Sequence, residues 1–431
     1  MNFSDVDLRV AVAALRAGAS THPPTPSHPA SHTLGHVTLA PTRHYLDHAA
    51  TTPLRHVAAQ AWAAAAKVTG NASSVHTEGR AARALVEDAR ERLAAAVGAH
   101  PTEVIFTGGA TEACNLAVTG TITAALAAGR APMVAVSAVE HPAVREPALA
   151  ARGATVTELP VDARGVVDMP HIEALTGPGG PDVTLLAVQA VNNEVGTIQP
   201  LAQVVAAAAA RGIPVHADAV QALGHLPLHF GSSGLTSMAL SAHKVGGPPG
   251  VGALLLRRDA VVHPVLHGGG QERAVRSGTL NVPGIVGFAA AVEEALATQG
   301  QTAVRLTDLR DTLAAGIRAA LPEATVRGDD ALGAPHIVHA VIPGASSEAM
   351  LFMLDSHGIA ASSGSACTAG VVQPSHVVRA LGHDAVQAGQ VLRLSLGHTS
   401  TRADVDALLT HLTEVVRRAR EATSPAPTHR P

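Results

Sequence analysis

Lys244 stands in SAHKVGGPPGVG, directly after the apolar run SMALSA and before a turn rich in Gly and Pro. A lysine amine can lose its proton in an apolar setting and attack a carbonyl carbon, whereas a guanidinium cannot. Of 30 basic residues only Lys67 and Lys244 are lysines, so a lysine kept beside a buried strand points to a place where Arg would fail. Lys67 lies inside an amphipathic Ala-rich stretch and reads as an ordinary surface cation. Asp218 closes the run PVHAD, and a carboxylate at the C-terminal end of a parallel strand faces the crevice where α/β sheets bind ligands. Together the two residues offer what pyridoxal phosphate needs: an amine for a Schiff base and an acid to hold the pyridine nitrogen protonated. Taken alone, Asp218 fits a helix N-cap equally well.

Gly108, Gly109, Ala110 and Thr111 lie between a strand-like and a helix-like stretch, where free N–H groups, a hydroxyl and a positive helix end suit a phosphate. His141 follows the run MVAVSAV at another strand end. With aromatic residues at 2%, an imidazole is the available plate to stack on a flat ring and a candidate proton carrier. Cys367, in SSGSACTAG, has only small neighbours and reads as an accessible, reactive thiol. Cys114, inside the helical TEACNLAV, reads as a core residue. Two cysteines without CxxC or Cys/His spacing argue against structural zinc.

These residues require a scaffold of strands that end at one edge. Apolar runs at 104–107, 133–139, 185–191 and 214–218 alternate with helical patterns at 111–128 and 201–210. That alternation predicts a doubly wound α/β domain with a mostly parallel sheet covered on both faces. From residue 283 one long helical stretch to Ala320, the runs HIVHAVI and VLRLSL, and a charged helix from Arg402 to Ala422 predict a smaller α+β domain. The expected organisation is an extension at 1–43, a large domain at 44–282, a small domain at 283–422 that also packs with residues near 44–60, and a tail at 423–431. Pro, Ser, Thr and His dominate 19–43, preceded by a short helical piece at Val6–Ala17.

Composition removes other classes. The 431 residues are 47% hydrophobic and 15% charged, which describes a folded chain with a large core. A formal charge of -4 and few aromatics give no basis for nucleic-acid binding. The longest uncharged apolar run, Val195–Ala210, is broken by Gln199 and Pro200 and is too short to span a membrane. Asp5 and Asp7 open the chain where a secretory signal would be basic, and cysteine is scarce, so a reduced, cytoplasmic protein is expected.

In order along the chain, YLDHAATTP, GNASSVHTEGR, FTGGATEACNLA, VEHPAV, VNNEVGTIQP, HADAVQALG, SAHKVGGPPGVGAL, GGGQERAVRSGTLNVP, SSGSACTAG and LRLSLG resemble the cysteine desulfurases, in the class V aminotransferase branch of pyridoxal phosphate enzymes. The resemblance covers residue 45 to about residue 420. It implies a pyridoxal phosphate transferase of fold type I, converting L-cysteine to L-alanine with sulfur passed to an enzyme persulfide. By these motifs Lys244 matches the cofactor-bearing lysine, Asp218 the pyridinium partner and His141 the stacking residue. Ala110, Thr111, Ser241 and His243 match phosphate-loop positions, and Thr279 a threonine that reaches the phosphate of the partner subunit. Gln221 and Asn193 match groups around the cofactor hydroxyl, Asn193 also facing substrate, and Arg393 matches the arginine that holds the substrate carboxylate. Cys367 matches the persulfide cysteine and, by the same resemblance, is a candidate transient iron–sulfur ligand; no firm metal site is implied. The loop ending at Pro374 and Ser375 resembles that of the long-loop group. A homodimer and a sulfur acceptor, such as an iron–sulfur scaffold or a thiolation enzyme, are the implied partners.

Ala72, Ala242 and His229 depart from the family pattern, as does the extension before Tyr45. The rival readings are a class V aminotransferase or selenocysteine lyase, which share the cofactor cage, and a cofactor-free thiol hydrolase built on Cys367. The cysteine in its loop favours the desulfurase.

Overall fold

The computed structural model describes residues 43–364, 367–368, 371–372 and 374–423; the expected extension up to residue 42 and the tail after Thr423 lie outside them. The chain enters through β1 (His44–Tyr45) and α1 (His56–Ala65), followed by α2 (Thr77–Ala96). The large sheet is then built from β2 (Val104–Thr107), β3 (Met133–Ser137), β4 (Thr155–Leu159), β5 (Val183–Ala187), β6 (Val215–Asp218), β7 (Ser237–Ser241) and β8 (Gly252–Leu256), in the order β2-β8-β7-β6-β5-β3-β4. Every residue of β2, β5, β6, β7 and β8 is buried, as expected for strands covered on both faces. The helices α3 (Ala110–Ala127), α4 (Pro142–Ala150), α5 (Met169–Thr176) and α6 (Leu201–Ala209) connect them.

All pairings are parallel except those of β8, which runs against both β2 and β7. The reversal matters for the site. Thr107 and Ser241 both pair with Gly252, so the ends of β2 and β7 meet the start of β8 at the same edge where β6 ends in Asp218. A Cβ on Gly252 would lie 2.6 Å from the Leu240 carbonyl and 2.8 Å from Gly109, so only glycine lets the 108–111 turn press onto that edge.

The expected single helix from 283 to 320 is two helices, α7 (Val282–Ala297) and α8 (Gln299–Ala320). They separate at Thr298, whose hydroxyl caps the Glu294 carbonyl at 2.9 Å, because each half serves a different core. Ile285, Phe288, Val292 and their neighbours join the core under the large sheet and pack on α1 and α2. Leu306, Leu313 and Ile317 join a second core with Leu46. We therefore propose a division after α7 in place of the expected boundary at 283. The second core is formed under the antiparallel sheet of β9 (Thr325–Arg327), β10 (Ile337–Val341) and β14 (Val391–Ser395), with α9 (Ser347–Ser356) and α11 (Arg402–Thr423). Between them lie β11 (Ile359–Ala360), which pairs with β1, the short ladder of β12 (Cys367–Thr368) and β13 (Val371–Val372), and α10 (His376–Ala380). Residues near 44–60 are thus shared: β1 and Leu46 belong with the small sheet, while α1 packs on α7.

Candidate active site

A cleft of about 1190 Å³ opens over the carboxyl edge of the large sheet. Ala110, Thr111, His141, Asn193, Asp218, Gln221, Ser241, His243, Lys244 and Arg393 all line it. Thr279 is exposed and does not line the cleft of its own chain. The Cys367 side chain lies outside the described residues; its backbone pairs with Val372 in β12.

Lys244 sits on the turn that leaves β7, and its Nζ donates to the carbonyls of Ala49 and Ala50 at 2.6 and 2.9 Å. Burial, helped by the Arg393 charge, lowers its pKa to about 8. Asp218 ends β6 largely buried on the floor of the cleft and accepts the Val220 N–H at 3.0 Å. Burial raises its pKa, opposed by His141 and Lys244, so this carboxyl is costly to ionise without a cation against it. Glu140 is also fully buried: one oxygen accepts the Gln189 N–H at 2.5 Å, the other has no partner, and burial pushes its pKa well up. His141 caps α4, its Nδ1 accepting the Ala143 N–H at 3.1 Å. That contact assigns the ring proton of the neutral imidazole to Nε2, and burial favours the neutral form by lowering the pKa.

Gly109 has φ +151°, and a Cβ placed on it would meet nothing within 4 Å, which leaves an open cradle at the start of α3. No side chain caps that helix. Glu112 closes the turn from behind, accepting the Gly108 N–H at 2.7 Å and Arg276 Nε at 2.6 Å. On the opposite wall, Arg393 of β14 donates to Asp47 at 2.7 Å and to the Asn193 carbonyl at 2.9 Å, while its buried Nε has no partner. His243 Nδ1 contacts the Thr51 hydroxyl at 3.2 Å, and burial lowers its pKa to about 4. The geometry thus joins a desolvated amine, a buried carboxyl whose pKa stays raised despite His141 and Lys244, an uncapped helix start and an arginine on the cleft wall.

Residues 44–408 match the family model for class-V aminotransferases. The chain belongs to that family. It is 49% identical over 371 residues to an IscS-like cysteine desulfurase of Mycobacterium tuberculosis, covering 85% of this chain and 94% of the relative. The cysteine desulfurase NifS of Azotobacter vinelandii is 37% identical over 354 residues, 81% of this chain and 87% of the relative. Among solved structures, a NifS-like protein aligns with a TM-score of 0.80 and 32% identity, over 88% of this chain and all (100%) of the other. SspA in complex with cysteine aligns at 0.69 with 29% identity, over 83% of this chain and 100% of the other. The class-V aminotransferases of this branch are pyridoxal phosphate enzymes, and the cleft fits that group: the buried Asp218 carboxyl makes no direct ion pair, the 108–111 cradle is open, and Lys244 is desolvated.

Several residues around this cleft escape sequence reading. Glu140 lies beside His141 in VEHPAV but has no spacing signal of its own. Glu194 accepts the Ser375 hydroxyl at 2.6 Å, and His376 donates to the Glu140 carbonyl at 2.9 Å, so the start of α10 is pinned to the cleft wall. Asp47 and Glu112 hold Arg393 and Arg276 across 346 and 164 positions, which no local pattern announces. Among the described residues no cluster of three or more His, Cys, Asp or Glu is arranged to hold a metal, and no helix is long and apolar enough to cross a membrane.

Proposed function

We propose that this chain is a pyridoxal phosphate-dependent cysteine desulfurase that passes the sulfur of L-cysteine to Cys367 and releases L-alanine. The observation that supports this most is the convergence of Lys244, Asp218, His141 and Arg393 on one cleft, in a chain related throughout to cysteine desulfurases. Bound pyridoxal phosphate supplies an electron sink for the pair released at the substrate Cα. In this reading Asp218 holds the ring nitrogen protonated and His141 covers the ring face. The N–H groups of Ala110 and Thr111, with Ser241 and His243, take the phosphate, and Asn193 and Gln221 flank the ring oxygen.

Arg393, on the cleft wall, receives the substrate carboxylate with its guanidinium. Lys244 takes the Cα proton at Nζ, an amine whose neutral form burial already favours in the free cleft, with a pKa of about 8. The Cys367 thiolate attacks the substrate sulfur. An S–S bond forms, the C–S bond breaks with its electron pair left on carbon, and that carbon takes a proton to become the alanine methyl group. Thiol plus cysteine gives persulfide plus alanine, with no external oxidant or reductant.

Thr279, exposed on its own chain, is read as completing the phosphate site of a second copy, which makes the active species a homodimer. The sulfur acceptor is read as an iron–sulfur scaffold or thiolation protein, and the compartment as the cytoplasm. The test is the visible spectrum of the purified protein, expected yellow, followed by alanine and sulfide assays with L-cysteine. A colourless, inactive protein after loading with pyridoxal phosphate would overturn the reading.

A further inference from the structure

We propose that His336 is a positioning residue that fixes the Gln221 amide with its N–H toward the cleft, so that the chain offers a donor and not an acceptor to the ring oxygen of bound cofactor. His336 lies outside the family motifs. It stands immediately before β10, 1% exposed, with its carbonyl held by the Leu396 N–H at 2.8 Å. Its Nε2 lies 3.3 Å from Gln221 Oε1, and Gln221 Nε2 lies 2.9 Å from the Ala49 carbonyl.

The polarity of this chain of contacts follows from its far end. A carbonyl oxygen only accepts, so the amide atom facing Ala49 must be the NH2 group. The amide oxygen then faces His336, which in turn must present Nε2–H. Turning the amide over would place two oxygens against each other at Ala49 and leave the NH2 group against a ring N–H, losing both bonds. The second N–H of Gln221 is the group left for the cleft that the residue lines.

The imidazole is held in this form by its surroundings. His225 stacks on His336 with ring centroids 3.6 Å apart and planes 7° from parallel, a geometry that a charged pair would resist. The titratable and charged groups that act on His336 are His225, His48, Arg393 and Arg310, with no carboxylate among them. Burial and these neighbours hold His336 well below its usual pKa, and burial lowers His225 to about 4. Nδ1 of His336 has no acceptor in reach, so a proton there would be buried and unpaired, whereas a proton on Nε2 meets the Gln221 oxygen.

The experiment is a pH titration of the visible absorbance of the wild type, His336→Asn and His336→Leu, each loaded with pyridoxal phosphate, with cofactor affinity measured alongside. Asn keeps an N–H toward Gln221 and is expected to keep the wild-type midpoint. Leu leaves the amide oxygen without a donor, so that the Ala49 carbonyl alone holds the amide and its second N–H is less firmly aimed at the cleft. A donor favours the ring oxygen in its most anionic form, so the midpoint is expected to rise, by up to about one to two pH units. If His336→Leu does not fold, the wild type still decides: nitrogen NMR shifts of the His336 ring, assigned with His336→Asn, are expected to report a neutral Nε2–H imidazole. An Nδ1–H tautomer or an imidazolium overturns the proposal. The inference rests on the cleft holding pyridoxal phosphate. A colourless wild type would overturn that reading and this one with it, whereas a yellow wild type titrating identically to a folded His336→Leu would overturn this inference alone.

Discussion

Replacing Arg393 by Lys tests the substrate end of the cleft without removing the charge that Asp47 needs. The Arg393 side chain is 4% exposed and the Asp47 carboxylate 20%, with the two 2.7 Å apart. Arg393→Ala would strand that part-buried carboxylate without its cation, a change that costs up to about 3–5 kcal/mol of stability and confuses chemistry with folding. Lys keeps a cation for Asp47 but lacks the planar guanidinium fork proposed to hold the substrate carboxylate. One charge-assisted hydrogen bond contributes about 1.5–3 kcal/mol, which is about a 10- to 150-fold loss in kcat/KM for L-cysteine. The control substrate is cysteamine, which has the thiol and amine but no carboxylate. Its kcat/KM is expected to be unchanged in Arg393→Lys. Equal losses on both substrates, or no loss on L-cysteine, would refute the placement of the carboxylate at Arg393.

Other outcomes follow from burial and charge. In the cofactor-free protein, Lys244 has a folded pKa of about 8, below its ordinary 10.5, so between these values the unfolded chain binds more protons. The stability of the wild type relative to Lys244→Met should therefore rise from pH 8 to 10.5, by about 2–3 kcal/mol in urea unfolding; a flat difference would contradict the desolvation. Glu272, with its side chain 2% exposed, takes Arg90 at 2.7 and 2.8 Å and the Phe106 N–H at 2.8 Å. Glu272→Gln should cost about 3–5 kcal/mol, read as a lower urea midpoint, and an unchanged midpoint would remove this anchor from the account. Cys114 is fully buried and its thiol pKa is well raised, so iodoacetamide should leave it unmodified until the protein unfolds. Peptide mapping that finds it alkylated under native conditions would place it elsewhere.

How much of this was legible in the sequence depends on whether a feature is local. Apolar runs ending in Asp218 and Ser241 reveal strands and the edge where they stop, because burial on both faces writes itself as uninterrupted apolar text. Lys244 stands out through composition alone. β4, TVTEL, escapes notice because it is an edge strand with exposed polar positions, and the reversal of β8 has no signature beyond the Gly/Pro turn before it. The break at Thr298 is invisible because helical periodicity continues across it while the core being packed changes. The carbonyls of Ala49 and Ala50, which hold Lys244, belong to backbone and leave no side-chain pattern. The stacked pair His225 and His336 is hidden among 25 histidines until the fold brings positions 111 apart into contact.

The central claim is that sulfur leaves L-cysteine for Cys367 by chemistry that needs Lys244. Its most direct test is a single turnover of the loaded enzyme with L-cysteine, quantifying alanine and mapping persulfide by mass spectrometry in the wild type, Lys244→Ala and Cys367→Ser. The account predicts one alanine and one persulfide on Cys367 per active site in the wild type. It predicts neither product in Lys244→Ala, and almost no alanine from a Cys367→Ser protein that remains yellow and still changes its spectrum with L-cysteine. Alanine formed by Cys367→Ser at the wild-type rate, or persulfide found on Cys114 instead, would contradict it.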